Sequence, residues 1–130
     1  LLDNALEKIL TLTTDAFEFD DARTASQVEP LEQVIDILVE RLRAQHIKRL
    51  KDGACSIDTG VVYLDVLNNV ERISDHCSNI AARLVGMEAG EDYDSHTLKN
   101  MMHHNPTKEY MLNYEQCRKD YLIPLEQLEA

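Results

Sequence analysis

Two pairs of carboxylates stand four residues apart in the stretches of this chain with the most regular helical periodicity, Glu32 with Asp36 and Glu71 with Asp75. Residues i and i+4 of a helix lie one above the other on one face, so each pair presents its oxygen donors in a common direction. Two such faces on neighbouring helices can together cage a hard or borderline cation. Spacing alone is weak grounds, because 24 Asp and Glu in 130 residues produce about as many acidic i, i+4 pairs by independent placement as the chain contains. Context adds more. Glu29, Glu32, Asp36 and Glu40 form a continuous acidic row beside an apolar seam, and only Arg43, three residues beyond Glu40, offers this row a cation within reach. Like charges at this spacing each cost roughly 0.2–0.5 kcal/mol, so something else should compensate the row. In the second stretch Asn68, Glu71, Asp75 and Asn79 make an all-oxygen stripe suited to the inner and outer ligands of a cation. The competing reading is a solvated polar face on which Arg72 pairs with Asp75 at i, i+3.

Other chemistries find less support. None of the 5 histidines falls in an HExxH or other zinc spacing. His76, next to Asp75, reads either as a ligand or orienter or as a packed, hydrogen-bonded side chain, and His103 and His104 precede Pro106 in an expected loop. The 3 cysteines, Cys55, Cys77 and Cys117, include no CxxC pair and match neither a disulfide framework nor a zinc ribbon, which points to a reducing cytosol. No glycine-rich phosphate loop, no GxSxG and no nucleophile beside an evident base is present, so the chain does not read as an enzyme. The net charge of −11 argues against a nucleic-acid partner and disfavours an anionic membrane surface. No apolar run approaches the ~18 residues of a membrane span, so no direct membrane insertion is expected. Arg41, Arg43, Lys48, Arg49 and Lys51 gather towards the end of the second periodic stretch, where positive charge complements a helix dipole.

The elements that must position the carboxylates are helices. Only 4 Gly and 3 Pro punctuate the chain, and apolar residues recur at spacings of three and four. Leu2, Leu6, Ile9, Thr13 and Ala16, with Leu12 beside them, predict a first helix that fades at Phe19-Asp20-Asp21. Val28, Leu31, Ile35, Leu38 and Leu42 predict a long second helix closed by Lys51-Asp52-Gly53, in which Pro30 should cause a kink or an N-terminal irregularity if the helix starts near Ala22. Val66, Val70, Ile73, Cys77, Ile80 and Leu84 predict the core face of a third helix that stops between Gly86 and Gly90. Short links make successive helices antiparallel. The expected fold is all-α: an antiparallel three-helix bundle over residues 1–88, then an acidic linker and C-terminal helical tail over 89–130. After a short apolar patch at Leu98, Met101 and Met102, Asn105-Pro106 interrupts helix, and Thr107 to Tyr121 predict a last one ending before Pro124. Met101, Met102, Met111, Tyr114 and Tyr121 exceed what one small bundle easily covers, so a homodimer formed through the tail is expected.

The third helix also carries a recognisable signature. Residues 67–81 read LNNVERISDHCSNIA, and this resembles the signature helix of the PhoU family, in which an ERI-small-DH segment is followed by NIA. Glu32-Gln33-Val34-Ile35-Asp36 stands where the preceding helix of that family carries another ExxxD element. The resemblance spans residues 1 to about 88, and ERISDHCSNIA is its specific part. The DHCSNIA form, followed by an acidic linker and a Tyr-rich tail, looks like the cytosolic C-terminal PhoU-like domain of bacterial sodium/phosphate cotransporter proteins; a first residue other than Met agrees with that.

The resemblance implies a regulatory or scaffolding domain in phosphate uptake rather than a catalyst. It would lie on the cytoplasmic side of the plasma membrane as part of a membrane protein, with the transporter portion of the same polypeptide as its partner. ExxxD carboxylates of some relatives bind multinuclear iron or other metals, which implies metal ligation by Glu32, Asp36, Glu71 and Asp75, with iron or another divalent or trivalent ion as the cofactor. A complete PhoU-like unit has two bundles facing each other; one is evident here, and the tail after Gly90 matches nothing in the general family. The alternative is a stand-alone carboxylate metal-binding enzyme on a helical bundle. The Glu-x-x-His pattern that di-iron enzymes use on two helices is absent from the second and third helices.

Overall fold

The computed structural model describes residues 2–54, 56–88 and 107–129, which are helical almost throughout, with no strand among them. Helix α1 spans Leu2–Phe19 and stops where the pattern fades, at Asp20, whose φ of 49° lies in the left-handed region. Asp21 then caps a single turn, α2 (Ala22–Ala25), its carboxylate accepting the backbone N–H groups of Arg23 at 3.1 Å and Thr24 at 3.3 Å. Helix α3 begins afresh at Val28 and runs to Lys51. The irregularity expected around Pro30 is thus a break into two helices. Pro30 occupies the first turn of α3, where its missing N–H would have had no intrahelical acceptor.

At the far end of α3 the chain turns at Gly53, with φ 72°, and the N–H groups of Gly53 and Ala54 satisfy the carbonyls of Leu50 and Arg49 at 3.2 and 2.9 Å. Helix α4 (Ile57–Glu88) starts one residue after Ser56, whose hydroxyl accepts the N–H of Thr59 at 3.2 Å. Helices α1, α3 and α4 form the antiparallel bundle. Ile9 and Ala16 from α1, Val28, Leu31, Val34, Ile35, Leu38 and Val39 from α3, and Leu67, Val70, Cys77 and Ala81 from α4 are its buried core.

The core face of α4 is a correction to the sequence reading. Of the six residues expected there, Val70 and Cys77 are buried and Leu84 is half-buried, but Val66, Ile73 and Ile80 are exposed. The buried face is rotated towards Leu67, Ser74, Ser78, Ala81 and Ala82. These are mostly small side chains, and a helix packed closely against two neighbours fills its contact with small residues more readily than with branched ones.

The tail is a further helical segment on the same core. Thr107 caps α5 (Lys108–Cys117) by accepting the N–H of Tyr110 at 3.0 Å. A π-helical turn, Arg118–Leu122, follows, and α6 (Ile123–Glu129) continues the same course. The helix therefore passes Pro124 instead of ending before it. Pro124 has no N–H to offer the ladder, and its ring crowds the carbonyl four residues back; the widened turn, in which the Ile123 N–H reaches back to the Arg118 carbonyl, accommodates it. Tyr110, Leu122 and Leu125 are buried, and Tyr114, Cys117 and Tyr121 pack against the core from its edge. Of the tail residues offered as a dimer surface, Tyr114 and Tyr121 thus face this chain's own bundle, while Met111 is exposed. Leu98, Met101, Met102, His103, His104 and Asn105-Pro106 lie outside the described residues.

Candidate functional site

Antiparallel packing of α3 on α4 sets the first half of one against the second half of the other. Glu32 and Asp36 accordingly face Glu71 and Asp75, and the four carboxylates line one open cleft of about 420 Å³ together with Asn68 and Arg72. The acidic row is graded in burial. Glu29 and Glu32 are 3% and 5% exposed, Asp36 is half-buried, Glu71 is partly exposed and Asp75 and Glu40 are exposed. The sequence reading placed this row beside the seam; its first two members lie inside the protein.

Each buried acid has company. The Ser78 hydroxyl, from α4, donates to Glu29. Burial raises the Asp36 carboxyl above the ordinary carboxylate value of 3.8; the negative charges of Glu71, Asp75 and Glu29 add to this, and a hydrogen bond shared with Glu32 works against it. Tyr110 of α5 packs against α3, its hydroxyl donating to the side-chain carbonyl of Gln33. Burial, followed by the charges of Glu29 and Glu32, pushes the Tyr110 phenol far up, so it remains a donor at any physiological pH.

Beside Arg72 in the cleft lining, Arg43 brings a second cation to the carboxylates. Its guanidinium donates to Asn68 at 2.9 Å and to Glu71 at 3.0 Å across the helix interface, and also to Glu40 on its own helix. The bond to Glu71 leads in raising the Arg43 pKa further above its ordinary value. Sequence spacing found the Glu40 partner but not the two on α4. The available signal was that Arg43 stands two turns beyond Asp36 on the same face of α3.

Chemically, the cleft offers carboxylate and amide oxygens, an arrangement suited to cations and without a poised nucleophile. In the rotamers described, no three Asp, Glu, His or Cys side chains among the described residues stand close enough to share one ion. His76 is exposed and is not among the residues lining the cleft. His46, which the sequence did not single out, is 3% exposed at the other end of the α3–α4 pair. Its Nε2 lies 3.2 Å from the Gly60 carbonyl, its Nδ1 lies 3.0 Å from an Arg49 nitrogen, and its ring centroid is 4.4 Å from that of Tyr63. Those contacts fasten the hairpin and hold α3 and α4 in the register that builds the cleft.

Comparison with known proteins places the geometry in a family context. The model of the PhoU domain matches residues 2–84. The phosphate-specific transport system accessory protein PhoU homolog 1 of Thermotoga maritima is 25% identical over 85 residues, which cover 65% of this chain and 37% of that protein. The corresponding PhoU homolog of Streptococcus pneumoniae serotype 4 is 34% identical over 79 residues, 61% of this chain and 37% of that one. The chain therefore spans little more than a third of these relatives. No solved structure matches it.

Proposed function

The chain belongs to the PhoU domain family, and from that premise we propose that it is a regulatory or scaffolding module in phosphate uptake, with the acidic cleft as its cation site. In this reading it is the C-terminal part of a sodium-dependent phosphate transporter. It sits on the cytoplasmic side of the plasma membrane and acts on the transporter portion of the same polypeptide. Two things support the regulatory role: the relatives are named accessory proteins of phosphate transport, and the signature ERISDHCSNIA lies on the helix that supplies half the cleft. No helix among the described residues is long and apolar enough to cross a membrane, so any membrane attachment in this reading comes from elsewhere in the polypeptide.

The observation that carries the cation site is the convergence of Glu32, Asp36, Glu71 and Asp75 on one cleft with Asp36 held above its ordinary pKa. The donor set suits a hard ion: iron, or another divalent or trivalent metal. Glu32 and Asp36 from α3 and Glu71 and Asp75 from α4 would hold it after side-chain rotation, with the Glu71 carboxylate leaving Arg43. A bound cation would remove the repulsion that Asp36 now bears.

Thermal melts of the wild type and Asp36→Asn, each with and without millimolar manganese or ferrous iron, test this. Binding to the folded state should raise the wild-type Tm with metal concentration. Asp36→Asn should melt no lower than wild type without metal and should lose the metal-dependent gain. A wild-type Tm indifferent to both ions would overturn the cation site. For the regulatory role, phosphate uptake by cells carrying the full polypeptide should change on Asp36→Asn, and unchanged uptake would detach the cleft from transport.

A further inference from the structure

The residues wrongly expected in the core of α4 form a pattern of their own. Val66, Ile73, Ile80 and Met87 follow one another at intervals of seven, and Val62, Asn69, His76 and Arg83 occupy the interleaved positions of the same seam. All eight are exposed, the five apolar ones between 38% and 72%. A three-four repeat sustained over four heptads is the pattern of a helix that packs lengthwise against another helix. Helix α1, with 18 residues beside the 32 of α4, packs on a different side of α4 and leaves this seam bare.

We propose that the seam pairs antiparallel with the same seam of a second copy of this chain, about a two-fold axis near Ser74 and Asp75. The polar seam positions decide the direction. A parallel pair would stack Arg83 on Arg83, with like charges meeting, and His76 on His76. The antiparallel pair sets Arg83 against Val66, His76 against Ile73, Asn69 against Ile80 and Val62 against Met87. It also brings Asp65 of each copy, exposed on the flank of the seam, beside Arg83 of the other, exposed on the seam itself, twice by symmetry. This charge complementarity, together with a match between apolar and mixed positions along the whole seam, favours a second copy as the occupant. The axis also falls beside the acidic cleft, since Arg72 and Asp75 of the cleft lining neighbour Ile73 and His76 of the seam. Two cleft mouths would then lie close together across the dimer.

Sedimentation of the 130-residue chain from micromolar to several hundred micromolar tests the pairing. The wild type should form a dimer, and Ile73→Glu with Ile80→Glu should return it to monomer with an unchanged far-UV circular dichroism spectrum, because both side chains are exposed in the single chain. Asp65→Arg or Arg83→Asp alone should weaken the dimer about tenfold at low salt, and the two together should restore it. A monomer at all concentrations, a dimer indifferent to the Ile73→Glu and Ile80→Glu pair, or a charge swap that fails to restore association would overturn the proposal.

Discussion

Asp36 sits half-buried among Glu29, Glu71 and Asp75, and its raised pKa turns directly into a pH dependence of stability. Between its ordinary value of 3.8 and its folded value, the folded protein holds a proton that the unfolded chain has released. The stabilisation from Asp36 is complete below the ordinary value and is lost as pH rises through the folded one. Asp36→Asn removes this titration, so metal-free Asp36→Asn should melt above wild type at neutral pH, by roughly 2–5 °C for a domain of this size. The difference should shrink towards pH 4, and melts at half-unit intervals from pH 4 to 8 would read it. Equal melting temperatures across that range would mean that Asp36 is solvated as an ordinary carboxylate. The i, i+4 pair was visible as spacing; the depth of Glu29 and Glu32 was not, since it depends on which side of α3 is covered by α4 and the tail.

At the scale of elements, two glycines near the α3–α4 hairpin serve opposite needs. Gly53 has φ 72° and nothing within 4 Å of where a Cβ would stand, so Gly53→Ala meets only the cost of the left-handed backbone, about 1 kcal/mol. Gly60 is helical, but a Cβ there would come within 2.6 Å of Leu50 Cδ2 and 3.1 Å of His46 Nε2. Leu50 can rotate away, whereas His46 is held by Arg49, the Gly60 carbonyl and the Tyr63 ring. Gly60→Ala gains about 1 kcal/mol of helix propensity and loses about 1–3 kcal/mol to overpacking. The expected net is a loss of up to about 2 kcal/mol in urea unfolding. A gain in stability would show that the hairpin packs less tightly than these distances state. Gly53 announced itself in the sequence as a helix stop after Lys51-Asp52. Nothing marked Gly60, because its role is set by a histidine fourteen residues earlier that arrives only when the hairpin closes.

For the whole molecule, the tail is part of the bundle's covering. It runs along α3 in the same direction, tied at one end by Tyr110 to Gln33 and further on by Glu126 to Arg41 at 2.9 Å, with Leu122 and Leu125 buried between. Burying side chains of this size contributes about 1.5–3 kcal/mol each before the entropy of ordering the segment is subtracted. A chain ending at residue 106 should therefore still fold, yet melt on the order of 5 °C lower, with a smaller urea m-value because less surface is hidden. An unchanged Tm would mean that the tail adheres without supporting the bundle. The ion pair between Arg41 and Glu126 is exposed on both sides and should contribute little to the difference.

Periodicity and punctuation determined the helices of this protein: the end of α1 at Asp20, the seam of α3 and its stop at Gly53 are each set by local backbone chemistry that a few neighbouring residues dictate. Spacing likewise determined which carboxylates share a face, and the short link between α3 and α4 determined that the two helices run antiparallel. Tertiary structure decided which of the two apolar faces of α4 became the core. Both carry the three-four repeat, so periodicity cannot choose between them; close approach to α1 and α3 selects the face of Ser74, Ser78 and Ala81, and leaves Ile73 and Ile80 outside. It also decided that Tyr110, Tyr114 and Tyr121 serve this bundle and that Arg43 reaches Glu71 across the interface. Those outcomes depend on distances between residues far apart in the chain, and such distances exist only once the helices have packed.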